Sequence, residues 1–563
     1  MVRLREMTLR ALLEQAVQLH RHRPALSTLH GTAFTFGELD ERAAQIARLL
    51  HDRGIIAGDR VAILSENQPH WAIAYFAVTT LGAVAVPILP DFHQNEIHHI
   101  IRHSESRAIF VSSRMAGQLE ETEFSSVSTT ILLDDFSLVP RRGKKHRFEE
   151  MMEEGSREFA KFKEAALKFA GRIPPSVREE DLAAIVYTSG TTGHSKGVML
   201  THRNIVSDAI ATLQIISLSH NDRLLSILPL SHTYECTLGL VTPIMIGASV
   251  TYLDKPPSAS VLLPAMAEVR PTIILSVPLV IEKIYKGRIQ PALHGRILVR
   301  TLARIPILRK ALHRTAGRRL LESFGGALRS FCIGGAPLAP DVELFLREAK
   351  FPYAVGYGLT ETSPMIAGAS PERTRFRSVG PPLPGTSIRI DQPDPATGEG
   401  EIVVRGPTVM KGYYKDPGRT AEVMTPDGWF KTGDLGLIDA KGYLHIKGRL
   451  KNMILGPSGK NIYPEEIESV INEFEVVTES LVFQQNNQLV ARVHLNYEAL
   501  EHAFSPKHLA ESQIRERIKG VIEDLRRQVN ERVASFSRIQ RMIEQSEPFE
   551  KTPTLKIKRH LYA

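Results

Sequence analysis

The stretch Leu182–Leu200, LAAIVYTSGTTGHSKGVML, sets an apolar run against a loop of glycines and hydroxyls, and a second short apolar run comes after it. Leu182–Tyr187 reads as a buried strand. In the loop, Thr188, Ser189, Thr191, Thr192 and Ser195 are interleaved with Gly190 and Gly193, and Lys196 closes it. Glycines let backbone N–H groups crowd around phosphate oxygens, while hydroxyls and a lysine add donors and charge. A flexible Ser/Gly linker is the plain alternative; the strand before the loop and the strand-like VML after it argue against that. A kinase-type phosphate loop needs Gly-Lys-Ser/Thr in direct sequence, and here Ser195 separates Gly193–His194 from Lys196.

Outward from that loop, strands alternate with helices. On the N-terminal side, Val61–Leu64 after a Gly58–Asp59 turn and Ala83–Ile88 both read as buried strands. A charge-rich stretch over 140–180 suggests an exposed inserted helix. On the other side, Ile205, Ala209, Leu213 and Ile216 recur at helical spacing over Arg203–Ile216. A second strand–loop–helix unit runs from Leu328 through Ile333–Leu338 into a helix near Asp341–Ala349, and Tyr353–Tyr357 reads as a strand. Such alternation predicts largely parallel sheets with ligands beyond the strand ends. The tail differs. Leu435–Asp439 with Tyr443–Lys447, and Leu481–Gln484 with Leu489–Leu495, read as hairpins, with helices starting near Pro464 and Lys507. This predicts a small α+β unit of about one hundred residues, with a boundary near Gly448–Lys451.

A chain of 563 residues, 43% hydrophobic and 23% charged, exceeds one ordinary core and predicts at least two globular domains. Its two cysteines, Cys236 and Cys332, have no companions at metal-ligand spacing, which fits a reducing compartment and excludes a disulfide framework. The charge-interrupted N-terminus reads as a first helix rather than a signal peptide. No apolar run approaches the roughly 20 residues of a membrane span. A cytoplasmic protein is therefore expected.

Further segments of distinctive chemistry come after the loop in order: LPLSHTYE (Leu228–Glu235), GGAPL (Gly334–Leu338), YGLTET (Tyr357–Thr362), GEIVVRGPTVMKGYY (Gly400–Tyr414), WFKTGD (Trp429–Asp434), GRLKN (Gly448–Asn452) and KTPTLKIKR (Lys551–Arg559). This colinear series, from about residue 180 to the end, resembles the adenylate-forming superfamily of acyl-CoA synthetases, peptide-synthetase adenylation domains and firefly luciferase. Thr554–Leu555 before Lys556, where most bacterial relatives carry Ser-Gly, is similar to the long-chain fatty acid–CoA ligase branch.

The resemblance implies an α/β fold: a large N-terminal domain (1–447) of largely parallel, helix-flanked sheets plus a distorted barrel, a hinge (448–452), and a small mobile α+β C-terminal domain (453–563). It implies activation of a medium- or long-chain fatty acid by ATP and Mg²⁺ to acyl-AMP, then transfer to CoA. Nucleotide contacts are implied for Thr188, Ser189, Gly190, Thr191, Thr192, Gly193, Lys196, Gly334, Gly335, Ala336, Tyr357, Gly358, Thr360, Asp434 and Arg449. Thr360 would meet the α-phosphate, Glu361 would coordinate magnesium, and Asp434 and Arg449 would reach the ribose. A carboxylate shared with phosphates is the usual way to hold that hard cation. His232 and Tyr234 are implied as a gate beside the acyl carboxylate; a histidine in a short apolar segment is otherwise a satisfied core group. Small residues at Gly334–Ala336 also suit an ordinary tight turn.

Lys556 is the expected catalytic cation. The fatty carboxylate and the ATP α-phosphate are both anions, and a positive charge between them offsets their repulsion. The alternative is a solvated basic tail with Lys551, Lys558 and Arg559. Lys451 stands at the implied hinge position, and Gly459 and Lys460 would belong to a strand swung inward for the thiol step.

Eleven Lys or Arg and no acid lie between Lys283 and Leu321, more than the whole chain's net charge of +8. One segment thus carries the basic excess, and no nucleic-acid partner is expected. Arg296, Arg300 and Arg304, with Leu298, Leu302 and Ile305, read as a basic amphipathic helix that rests peripherally on the anionic inner membrane face, or as a solvated helical face. The absence of acid from Leu228–Tyr234 disfavours an amino acid substrate. Two alternatives stay open: a ligase using acyl carrier protein as acceptor, and a non-catalytic lipid- or nucleotide-binding relative.

Overall fold

The structure, a computed structural model, describes residues 4–119, 124–139, 176–188, 195–294, 304–456, 461–486, 488–497, 500, 511–552 and 556–563. Two eight-stranded sheets dominate it. The first runs in the order Met365–Gly368, Tyr353–Gly358, Ser330–Ile333, Ile273–Ser276, Arg223–Ser226, Ser249–Tyr252, Pro24–Thr28, Phe34–Thr35. The second runs Gly412–Tyr413, Lys196–Thr201, Leu182–Thr188, Val84–Ile88, Arg60–Leu64, Ala108–Val111, Thr129–Leu132, Leu138–Val139. Pairing is parallel through the middle of each and antiparallel at the edges. The expected strands at Val61–Leu64, Ala83–Ile88, Leu182–Tyr187 and Tyr353–Tyr357 all lie in these sheets.

Local chemistry sets the helices between them. Thr35 and Glu38 form a reciprocal cap at the start of Phe36–Asp52, and Thr201 and Asn204 do the same for His202–Leu213. Each box satisfies helix N–H groups that have no intrahelical partner. The second helix stops at Leu213, so Ile216 of the expected 203–216 helix lies beyond it. Helix Pro69–Thr80 is apolar on nearly every face and is accordingly buried, with Trp71 stacked on Tyr75 at 5.3 Å. It belongs to the main core, which Leu9, Phe36, Val61, Ile205 and Val250 also join.

An open four-stranded antiparallel sheet takes the place of the expected distorted barrel: Ser387–Asp391, Gly400–Arg405, Phe430–Ile438 and Leu444–Arg449. Among the described residues no barrel closes. The hairpin at 435–447, expected in the tail, pairs instead with Gly400–Arg405, because Phe430–Ile438 continues the same strand backwards through the WFKTGD segment. After Asn452 a three-stranded sheet, Val477–Gln485, Gln488–Leu495 and Arg541–Glu544, is backed by helices Pro464–Ile471 and Glu511–Arg532. It has its own core of Ile467, Ile471, Val493, Leu525 and Val529.

The inserted helix expected over 140–180 falls largely outside the described residues, as do a helix start at Lys507 and residues Arg296, Leu298, Arg300 and Leu302. Of that basic pattern only Arg304 and Ile305 are described, and they precede helix Pro306–Ser323 rather than continuing one amphipathic helix. No described helix is long and apolar enough to cross a membrane.

Candidate active site

A cleft of about 3060 Å³ opens where the parallel strands of both large sheets end. The segments at or just past Leu64, Ile88, Thr188, Ser226, Ser276, Ile333 and Gly358 line it, and it reaches the residues after Gly448. Ligands of parallel sheets bind at this end because the loops there are free to diverge.

At one end stand Lys196, Glu361 and Tyr413. Strand Leu182–Thr188 turns back as Lys196–Thr201, with Thr188 paired to Lys196. Ser189, Gly190, Thr191, Thr192 and Gly193 lie outside the described residues. Thr188 lines the cleft, and its buried hydroxyl has no hydrogen-bond partner among them. Gly197 lets the strands close: a Cβ there would stand 2.8 Å from Ile185 Cγ2 and 3.1 Å from the Tyr187 ring. Lys196 Nζ donates to Glu361 Oε1 at 2.7 Å and lies 2.7 Å from the Tyr413 hydroxyl oxygen. That hydroxyl donates to the same Glu361 oxygen at 2.8 Å. Burial alone would raise the Glu361 carboxyl, but the Lys196 charge and these hydrogen bonds hold it below the usual range. Asn204 of the helix cap donates to the Pro407 and Val409 carbonyls, and Met410 N–H donates to the Glu361 carbonyl. The Glu361 segment is thereby tied to the segment that carries Tyr413. Thr360 lines the cleft beside it.

Asp434, Tyr357 and Arg449 form a second group. Asp434 and Arg449 are cross-strand partners, and Arg449 Nε lies 2.8 Å from Asp434 Oδ1. The Tyr357 hydroxyl donates to Asp434 Oδ2 at 2.6 Å. Asp434 is 4% exposed, and burial pushes its carboxyl up against the pull of Arg449, the Tyr357 hydrogen bond and Lys556. Gly358 continues the Tyr357 strand along the cleft wall. This group is a carboxylate with a guanidinium beside it, suited to accepting hydrogen bonds from a diol.

Gly334, Gly335 and Ala336 come directly after strand Ser330–Ile333 and line the middle of the cleft. Gly335 has φ +87°, and a Cβ on Gly334 would stand 3.2 Å from the Tyr234 ring. Tyr234 donates its hydroxyl to the Cys332 carbonyl at 3.1 Å, so its ring lies against this turn. His232 Nδ1 accepts the Tyr234 backbone N–H at 3.1 Å, which leaves the proton on Nε2. Desolvation, and then the Lys556 charge, pull its pKa down to about 4, so this imidazole is neutral at physiological pH. Beyond it the walls are apolar: Ile227, Leu238, Leu262, Leu275, Val277 and Val280. Glu235 is next after Tyr234 but does not line the cleft; burial pushes its carboxyl up to about 8, with a Ser226 hydrogen bond opposing. Among the described residues, the segment Leu228–Tyr234 thus presents no acid to the cleft.

Lys556 enters from the C-terminal unit. Its side chain is open to the solvent of the cleft but ringed by protein, and desolvation and then Arg449 lower its pKa against Asp434 and Glu361. One amine thus feels both acidic groups of the site and acts on His232. Lys451 lies in the turn Leu450–Asn452, exposed at the edge of the cleft. Gly459 and Lys460 lie outside the described residues. Among the described residues no three His, Cys, Asp or Glu gather as a metal cage. A cation here would have Glu361 plus oxygens of its own ligand, which fits magnesium on a polyphosphate.

Two residues of this site are not among those expected from the sequence. Tyr413 belongs to a distinctive segment, but a tyrosine in a Gly-Tyr-Tyr run carries no periodic signal. Thr432 donates its hydroxyl to Ile402 O and accepts Asp434 N–H, which fixes the aspartate's backbone.

The AMP-binding enzyme family model matches residues 13–414. A long-chain-fatty-acid–CoA ligase, FadD15 of Mycobacterium bovis, is 31% identical over 84% of this chain and 78% of its own. A long-chain-fatty-acid–[acyl-carrier-protein] ligase, AEE15 of Arabidopsis thaliana, is 27% identical over 94% of this chain and 81% of its own. Among solved structures, O-succinylbenzoate coenzyme A synthetase of Bacillus subtilis in complex with ATP and magnesium ion superposes with a TM-score of 0.73 at 25% identity, covering 98% of each chain.

Proposed function

Because this chain belongs to the AMP-binding enzyme family, we propose that it is an AMP-forming acyl-CoA synthetase that activates a fatty acid with ATP and transfers the acyl group to CoA. The observation that carries the reading is the convergence on one cleft of Lys196, Glu361, Asp434 and, from the C-terminal unit, Lys556. In the first half-reaction a carboxylate oxygen attacks the α-phosphorus, the bond to the β-phosphate breaks, and pyrophosphate leaves. Lys196 and the loop before it hold the phosphates, with Thr360 at the α-phosphate. Asp434 and Arg449 take the ribose hydroxyls, and the Gly334–Ala336 turn lies flat against base and acyl group. Glu361 would hold magnesium jointly with the phosphates; bound there, the ion offsets triphosphate charge. Lys556 sits between the two anions as they meet. Neutral His232 adds no charge of its own beside Tyr234, and both border the acyl carboxylate.

In the second half-reaction a thiol sulfur attacks the acyl carbonyl, the bond to AMP breaks, and the thiol proton leaves with the departing phosphate. The unit 453–563 turns about 448–452, with Lys451 as pivot, and brings Gly459 and Lys460 toward the thiol. The apolar walls beyond His232 suit a medium or long alkyl chain. Pyrophosphate release across acids of graded length tests the reading. A maximum at long chains is expected, and no release with any acid refutes it.

A carrier-protein acceptor is the second reading, favoured by the similarity to the acyl-carrier-protein ligase. Parallel assays with CoA and carrier protein separate the two. Exposed Ile305, Ile307 and Leu308 beside exposed Lys310 and Arg314 favour contact with anionic membrane, which co-sedimentation with phosphatidylglycerol vesicles tests.

A further inference from the structure

Lys286 belongs to the basic stretch that the sequence marks only by its charge. It lies in the π-helical segment Tyr285–Ile289, which continues helix Pro278–Ile284, whose Val280 and Ile284 line the cleft. Its Nζ crosses to the C-terminal unit and donates to the Asn472 carbonyl at 2.7 Å. Asn472 caps the C-terminus of helix Pro464–Ile471. Its N–H goes to Glu468 O, and its side-chain oxygen accepts the Ser480 hydroxyl. The carbonyls at a helix C-terminus carry partial negative charge, and a lysine is the natural partner.

The surroundings add a second role. Glu473, next along, is raised by burial and by Asp341 across the gap, while Arg532, Arg377 and Lys286 oppose that. Docking the C-terminal unit therefore brings two carboxylates together, and Lys286 stands near both. A second clasp lies nearer the hinge: the Tyr463 hydroxyl donates to Glu399 Oε2 at 2.7 Å, and Lys447 bridges Glu399 and Glu466.

We propose that Lys286 is a positioning residue for adenylation: its bond to the Asn472 carbonyl holds the C-terminal unit in the arrangement that presents Lys556 to the cleft. The inference rests on the acyl-adenylate reading above. The clasp joins two bodies that the thiol step requires to separate, so it favours the first half-reaction alone. A charged donor on a carbonyl is worth about tenfold in such an equilibrium.

The test compares Lys286→Met and Lys286→Arg with the parent protein in the two half-reactions separately. One assay tracks single-turnover pyrophosphate release from ATP and fatty acid; the other tracks thioester formation from supplied acyl-AMP and CoA. Lys286→Met is expected to slow pyrophosphate release about tenfold and leave thioester formation unchanged or faster, with Lys286→Arg restoring most of the loss. Tyr463→Phe, which removes one hydrogen bond of the second clasp and leaves the Lys447 bridge, is expected to shift the half-reactions in the same direction but less. Equal slowing of both half-reactions by Lys286→Met would mark a merely structural lysine and overturn the inference, as would no effect on either. Absence of pyrophosphate release from the parent protein is a distinct result: it removes the enzyme reading, and this inference with it.

Discussion

Lys196 and Glu361, 165 residues apart in sequence, form an ion pair of 2.7 Å, and the Tyr413 hydroxyl lies on the same carboxylate oxygen. The lysine closes the glycine-hydroxyl loop of one sheet, and the glutamate stands just past a strand end of the other. A magnesium–triphosphate group placed between them would give each a stronger partner of opposite charge, and we propose the pair as a preformed seat for that ligand.

Glu361→Gln removes the charge and keeps the shape. The apparent magnesium requirement for pyrophosphate release is expected to rise at least about tenfold, the scale of a lost charged interaction. Titration of magnesium at saturating ATP checks this. An unchanged midpoint would remove Glu361 from the metal's environment.

Tyr413→Phe leaves the ion pair and deletes the hydroxyl that touches both of its members. The KM for ATP is expected to rise about fivefold, the worth of one ordinary hydrogen bond, with kcat nearly constant. Steady-state kinetics with ATP as the varied substrate give the answer, and a fall in kcat alone would mean that Tyr413 acts in the transition state instead.

Asp434, held by Arg449 and Tyr357, is assigned to the ribose hydroxyls. The parent protein is expected to discriminate against 2′-deoxy-ATP or 3′-deoxy-ATP by about tenfold in kcat/KM, because a hydrogen bond to a buried carboxylate is lost. Asp434→Asn is expected to lose most of that discrimination. If the variant still discriminates fully, the carboxylate does not read the ribose.

His202 is fully buried and accepts the Leu9 N–H at its Nδ1. Desolvation pulls its pKa down from the ordinary value of 6.5 to about 4, with Asp181 opposing. Between those two values the unfolded chain binds a proton that the folded one excludes, so the group's contribution to stability is full above 6.5 and is lost as pH falls toward 4. Thermal melts from about pH 7 to about pH 4 are expected to show a decline that His202→Gln makes shallower. Parallel declines in the two proteins would refute this assignment.

The parts of this arrangement legible in the sequence are those that local chemistry dictates. Strands at Arg60–Leu64 and Leu182–Thr188 arise from short apolar runs between turns, and the helix at His202 from the spacing of Ile205, Ala209 and Leu213. The hairpin at 435–447 joins a sheet that its own residues do not announce, because strand pairing is a long-range choice. Its partner, Gly400–Arg405, lies behind a helix and a loop, and nothing within the hairpin itself encodes that. Likewise Lys286 reads in the sequence only as one charge among eleven, since its acceptor is a backbone carbonyl 186 residues away. Tyr413 shares that difficulty: its significance arises only when two sheets bring Lys196 and Glu361 together.

Lys556, whose amine feels Asp434 and Glu361 from the opposite unit, is the group proposed here to carry adenylate formation. The decisive measurement is Lys556→Ala assayed in the separate half-reactions. Pyrophosphate release from ATP and fatty acid is expected to fall by at least about two orders of magnitude, the range of a lost electrostatic stabiliser, while supplied acyl-AMP and CoA still yield thioester at the parent rate. Equal loss of both activities, or full retention of pyrophosphate release, would contradict it.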